Sequence, residues 1–169
     1  GSSWVIPGTG IILNNRLTGF SLDPASPNII EPGKRPAHTL NAFTAVNADG
    51  TLHLVGGTPG ANIQVQTNLQ LITNVVDLKM NVQEATEAPR WQHLNAPGQS
   101  TTEEAGSGML EIENRVPTQV LDQLRAKGHD VKELAAWGHG SSVQLMQVLP
   151  NKTFAFGSDP RCEGHAAGI

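Results

Sequence analysis

Apolar positions recur with two different periods along this chain, and the change of period marks out its elements. Around "ADGT" (48–51), two apolar segments, His38–Val46 and Leu52–Val55, flank Asp49-Gly50. That dipeptide favours the positive dihedrals of a tight hairpin, so the two segments are expected as neighbouring antiparallel strands. After the glycine-rich corner "GGTPGAN" (56–62), Val65, Leu69, Ile72 and Val76 recur at intervals of four, three and four. This is the period of one helix face, with Gln64, Asn68 and Asp77 off the stripe and Pro59 fit for the first turn. "NVQEATEAP" reads as a second, short helix: Asn81 caps it, Glu84 stands at the capping-box position, and Pro89 ends it.

The rest of the chain is read in the same way. "RWQHL" and "MLEIENRV" are expected strands, the latter alternating apolar Leu110 and Ile112 with polar residues. Between them "NAPGQSTTEEAGSG" is a polar loop. Pro117 opens a helix with Val120, Leu121 and Leu124 on one side, and Gly128 closes it. "SVQLMQVLPNKTFAFGSDP" is a hairpin whose first strand, without strict polarity, is expected to be buried on both faces. Upstream, "WVIPGTGIILNN" (4–15) reads as strand, turn, strand, and the proline-rich Ser21–Pro36 segment as a long ordered loop. Strands, grouped helices and strands again predict an α+β protein with mainly antiparallel sheets, a single domain over residues 1–169. The opening residues read like the middle of a domain, so the natural polypeptide is expected to extend further upstream.

Composition narrows the chemistry. Eleven Lys and Arg stand against 15 Asp and Glu, a net charge of −4, with no basic run. A nucleic-acid partner is therefore not expected. No stretch reaches the length of a membrane span. One cysteine, Cys162, rules out an internal disulfide or a cysteine-based zinc site within the chain, and it reads as a tail residue. The six histidines show no metal-ligand spacing, so no metal and no cofactor are expected. Ser141 and Ser142 in "AAWGHGSS" lack both an evident base and a nucleophile elbow.

Two features carry candidate chemistry. The corner between strand and helix directs free backbone N–H groups, with the positive end of a helix dipole, at one spot that could hold an anion or an oxyanion. A plain tight turn satisfies the same pattern. Arg16, after "LNN", is a turn residue that could also clamp a carboxylate, and His38 stands where a loop enters a strand.

Five segments in order, "PGTGIILNNRLTGFS", "PGKRPAHTL", "GGTPGANIQVQ", "MNVQEATEAPRW" and "SDPRCEGHAAG", resemble the C-terminal small subunit of the γ-glutamyltransferase family over nearly the whole chain. The resemblance implies an N-terminal-nucleophile hydrolase with an αββα sandwich, made by self-cleavage of a precursor. The nucleophile would be an N-terminal threonine whose strand lies upstream of Gly1, so the upstream part of the same precursor is an implied partner, with homo-oligomers also possible. The family's oxyanion turn falls on Gly60 and Ala61, the alanine replacing a glycine. Many γ-glutamyl enzymes carry Gln or Glu after "LNN" and an acid three places on, which bind the substrate ammonium. Arg16 and Gly19 stand there. A serine pair that binds the α-carboxylate is replaced by His38 and Thr39. The resemblance thus implies cleavage of a small-molecule γ-glutamyl or dicarboxylic amide, with Arg16, His38 and Thr39 lining the acyl pocket. The rival reading is a non-catalytic carboxylate-binding or partner-pairing module.

Overall fold

The computed structural model describes residues 2–94, 108–165 and 167, the side chain of Asn62 aside. The polar loop expected between the third and fourth strands lies almost wholly outside the described residues. Contacts divide the chain into two compact units, Gly1–Thr39 and Leu40–Ile169.

The first unit has little regular structure. The strand–turn–strand expected over 4–15 is reduced to one antiparallel bridge, Val5 to Ile12, with Leu13 N donating to Trp4 O at 2.8 Å and Ile6 N to Ile11 O at 2.9 Å. Gly8 and Gly10 turn the chain between them at positive φ. A 3₁₀ turn, Arg16–Gly19, follows. The proline-rich segment is a loop, as expected, and Asn28 organises it. Its Nδ2 donates to Gly19 O and its Oδ1 accepts from Ala37 N at 3.0 Å. One side-chain amide thereby ties the Arg16 turn to the segment entering His38.

The second unit holds the core. In order it runs β1 (Phe43–Val46), β2 (Leu52–Gly57), α1 (Gln64–Val76), α2 (Val82–Glu87), β3 (Trp91–His93), β4 (Leu110–Glu113), α3 (Thr118–Ala126), β5 (Val131–Leu134), β6 (Gln144–Val148) and β7 (Phe154–Ser158). β1-β2-β6-β7 form one antiparallel sheet, and β3-β4-β5 a second in which β4 and β5 are parallel across α3. The first strand is shorter than the expected His38–Val46. β5 was not expected at all: only Val131 and Leu134 are apolar in it, and its pairing with β4 is what makes it a strand.

Helices α1 and α2 cover one face of the larger sheet. Leu54, Val143 and Leu145 from the sheet pack with Leu71, Val75, Val82 and Ala85 from the helices. Gly157 lets α2 lie directly on β7, since a Cβ there would sit 2.3 Å from Val82 O. The expected capping box is present: Asn81 Oδ1 accepts from Gln83 N and Glu84 N, and Asn81 N donates to Glu84 Oε2. The face of α1, however, differs from expectation. Gln64, Thr67, Asn68, Leu71 and Val75 are buried, whereas Val65, Leu69 and Val76 are exposed. The buried face sits one residue, about 100°, round the helix from the apolar stripe. Polar anchors set that rotation. Asn68 Nδ2 donates to Asn41 O at 2.7 Å, and Gln66 and Gln70 each exchange two hydrogen bonds with the backbone of His93 and Trp91. Four helical residues rise about 6 Å and two strand residues about 6.6 Å, so two glutamines four apart match the free edge of β3. In α3, likewise, Leu121 is buried but Val120 is exposed.

β6 was expected to be buried on both faces. One face, through Leu145, meets the helices. The opposite face, with Val55, Met146 and Phe156 in register across three strands, is met by none of the described helices, and Phe154 and Phe156 remain 57% and 39% exposed.

β4 also departs from simple alternation: all four of its residues are buried, including Glu111 and Glu113. Glu113 is the hub of an ion network joining the two sheets. Arg161 donates to it through Nε at 2.7 Å and Nη2 at 2.6 Å, Arg115 through Nη2 at 2.7 Å, and the Arg90 and His139 amides add two more bonds. The other N–H groups of the Arg161 guanidinium go to Asp159 Oδ1, Thr86 O and Ala88 O, so all five donors are used. Arg90 pairs with Asp159 and reaches Thr86 O and the Ser141 hydroxyl. Burial alone would raise the Glu113 carboxyl, but the bonds from Arg161 and Arg115 outweigh it and hold it at about 2. His139, buried beside Arg90, is lowered to about 4. Its Nδ1 lies 2.7 Å from Ser141 Oγ.

Two outcomes are expected. Arg161→Ala leaves Glu113 and Asp159 short of a partner and should cost about 3–5 kcal/mol, read as a lowered urea midpoint. His139 binds a proton in the unfolded chain below its ordinary value of 6.5 but in the folded protein only near 4. Stability should therefore fall as pH drops from 6.5 to 4, by on the order of 3 kcal/mol from this group. In His139→Asn, thermal melts across that window should show a shallower loss.

Candidate functional site

The corner after β2 is built from Thr58, Pro59, Gly60 and Ala61. Gly60 has φ 134° and ψ 16°, and a Cβ on it would meet Ile63 Cγ1 at 2.7 Å, so glycine is required twice over. Ala61 takes φ 49°, the left-handed region, and opens the 3₁₀ turn Ala61–Ile63 that runs into α1. The expectation of Pro59 in the first helical turn is thus adjusted: it precedes the turn, and Gly60 caps it.

Both peptide planes are anchored by their carbonyls. Pro59 O accepts from the Thr58 hydroxyl at 2.7 Å, and Gly60 O accepts from Ile63 N at 3.1 Å. The Gly60 and Ala61 N–H groups donate to no described residue. Two donors unspent among the described residues, at the start of the 3₁₀ turn that leads into α1, are what an anion or a developing oxyanion needs.

The remaining candidates lie in the first unit. Arg16 opens its 3₁₀ turn, is exposed, and its guanidinium has no ion pair among the described residues. His38 is exposed and Thr39 half-buried, both in the extended segment after Ala37. Gly19, three residues after Arg16, has no room for a side chain: a Cβ would stand 2.6 Å from Ala37 O.

Sequence reasoning missed two residues around these features. Thr58 and Asn28 act through backbone contacts that no motif announces. Ser141 does meet a histidine, yet it is 1% exposed and its oxygen also accepts from Arg90, which makes it a structural hydroxyl rather than a nucleophile. A cavity of about 560 Å³ opens on the uncovered sheet face, lined by Val55, Gly57, Gln144, Met146, Phe156 and His165 among others. Neither Gly60 nor Ala61 lines it.

The fold is that of the N-terminal-nucleophile hydrolases, α+β with antiparallel-dominated sheets. The sequence profile described as Gamma-glutamyltranspeptidase matches residues 1–169, and the chain belongs to that family of amide hydrolases and transferases. It is 38% identical to the oxamate amidohydrolase proenzyme of Klebsiella pneumoniae, over 99% of this chain and 31% of that protein. It is 34% identical to the glutathione hydrolase proenzyme of Escherichia coli, over 95% of this chain and 27% of that protein. The structure is similar to a γ-glutamyltranspeptidase T380A mutant of Helicobacter pylori, with a TM-score of 0.74 and 31% identity over 96% of this chain and 87% of that one. The chain thus spans less than a third of these curated relatives.

Ala61 offers a direct check of the turn's geometry. Glycine at this place removes a left-handed strain of about 1–2 kcal/mol and adds about 0.5–1 kcal/mol of unfolded-chain entropy. Ala61→Gly should therefore stabilise the protein by roughly 0.5–1 kcal/mol in a denaturant titration.

Proposed function

We propose that this chain is the part of a self-processing amidase precursor that supplies the oxyanion turn and the acyl-binding residues. A hydroxyl nucleophile from the preceding part of the precursor attacks the substrate carbonyl carbon. The carbonyl oxygen takes the negative charge and receives the Gly60 and Ala61 N–H groups. The C–N bond breaks, the amine leaves with the proton lifted from the nucleophile, and water or an amine then releases the acyl group. The observation that carries this reading is the pair of N–H groups at Gly60 and Ala61, in carbonyl-anchored peptides and without an acceptor among the described residues.

The acyl group we infer is a small acid with a free carboxylate and no ammonium. Arg16 offers a guanidinium with no ion pair among the described residues, which repels an ammonium and accepts a carboxylate bidentately. Gly19 can carry no acidic side chain where Ala37 O stands. His38 and Thr39 add hydrogen-bonding groups for the same acyl portion. The likeness to a protein named for oxamate, an amide beside a carboxylate, supports the same class. The uncovered sheet face and the exposed stripe of α1 are, on this reading, surfaces for the rest of the precursor.

The test is co-expression with the coding sequence upstream. Mass spectrometry should find a cleavage that exposes a threonine or serine, and the product should hydrolyse oxamate or a glutaryl anilide faster than a γ-glutamyl anilide. Arg16→Gln should raise KM for the anionic amide by about 10- to 100-fold, the worth of one charge-assisted pair, with kcat little changed. A preference for the γ-glutamyl anilide, indifferent to Arg16→Gln, would refute the substrate class.

A further inference from the structure

We infer that Thr58 is the positioning residue of the oxyanion turn, an assignment that rests on the reading of Gly60 and Ala61 given above. Its hydroxyl stands between two backbone groups. Ser142 N donates to Thr58 Oγ1 at 3.1 Å, and Thr58 Oγ1 donates to Pro59 O at 2.7 Å. The incoming N–H occupies a lone pair, and the hydroxyl proton is directed at the Pro59 carbonyl.

The consequence follows from peptide geometry. Pro59 C=O and Gly60 N–H belong to one rigid trans plane and point to opposite sides of it. Holding the carbonyl therefore aims the N–H. Without that hold, the plane can turn about the single bonds on either side, because Gly60 tolerates dihedrals on both halves of the map. The second donor needs no such help: Gly60 O is held by Ile63 N inside the turn. Thr58 is thus the one side chain among the described residues that fixes an oxyanion donor. It is half-buried, and we assign it no contact with the substrate.

Its far end is as firmly held as its near end. Ser142 follows Ser141, whose hydroxyl accepts from Arg90 and contacts His139. The orientation of the Gly60 N–H is consequently referenced to the buried ion network through two adjacent serines and one hydroxyl.

Two readouts on the protein co-expressed with its upstream part test this. In the first, Thr58→Val, nearly the same shape without the hydroxyl, should lower kcat on the preferred amide by about 10- to 100-fold with KM within about twofold, in the range seen when one oxyanion donor is lost. Thr58→Ser should restore kcat, and Thr58→Ala should repeat the loss if valine disturbs packing. Unchanged kcat in both the valine and alanine variants overturns the assignment, as does a serine variant no better than alanine. In the second, crystal structures of Thr58→Val and Thr58→Ala should show the Pro59–Gly60 peptide rotated from its position with threonine. A peptide that keeps its orientation in both overturns the assignment whatever the kinetics. A threonine-bearing protein inert toward every amide would refute the proposed function, while the peptide's orientation would still decide the part played by Thr58.

Discussion

Glu113 is fully buried and ionised, and the second unit is arranged so that it can be. Removing a carboxylate from water costs several kcal/mol, which is recovered only when strong donors surround it. Here two arginine side chains and two backbone amides do so, from four places in the chain. Arg90 comes from the end of α2, Arg115 from just after β4, His139 from the loop before β6, and Arg161 from beyond β7. Asp159 completes the balance for Arg90 and Arg161. Each contributor lies in a segment beside a different element, so the network ties the two sheets together through their connecting segments.

The candidate site hangs from that network. Arg90 holds Ser141, the neighbouring Ser142 amide holds Thr58, and Thr58 holds the carbonyl of Pro59. On the other side, β2 delivers Gly57 in register with Gln144 of β6, and Ile63 pins Gly60. A turn with two positive-φ residues in succession has little intrinsic preference for one shape. Bonds at both ends, rather than the turn's own sequence, give it one.

This division explains what could be read from the sequence. Local rules worked where the cause is local. The Asn81–Glu84 capping box, the Asp49–Gly50 hairpin with Gly50 at φ 82°, and the closure of α3 at Gly128 with φ 91° all depend on neighbours within four residues. The α1 face was misread because tertiary polar anchors, Asn68 on Asn41 and the two glutamines on β3, outweigh an apolar stripe that is left exposed. β4 was misread because a glutamate at an alternating position suggests solvent, and only the arrival of the Arg115 and Arg161 guanidiniums makes the burial of Glu113 tolerable. The strings "APRW" and "SDPR" were legible as family likeness but mute about their purpose, which emerges only when the two arginines meet one carboxylate. Gly60 and Ala61 were legible as a corner. Thr58 was not, since a hydroxyl bonded to the next residue's carbonyl leaves no spacing to detect.

The first unit shows the same dependence on backbone contacts distant in sequence. Gly19 would ordinarily be read as a residue that has lost a side chain. In the structure the space of that side chain is taken by Ala37 O, and the Asn28 amide holds both backbones in place. Restoring an acid at position 19 would therefore require the backbone at Ala37 to move, and His38 and Thr39 follow Ala37 directly. The charge of the Arg16 turn is thus set by backbone packing as much as by the arginine: a single substitution at 16 can remove the positive charge, but no single substitution at 19 can supply the negative one without displacing its neighbours.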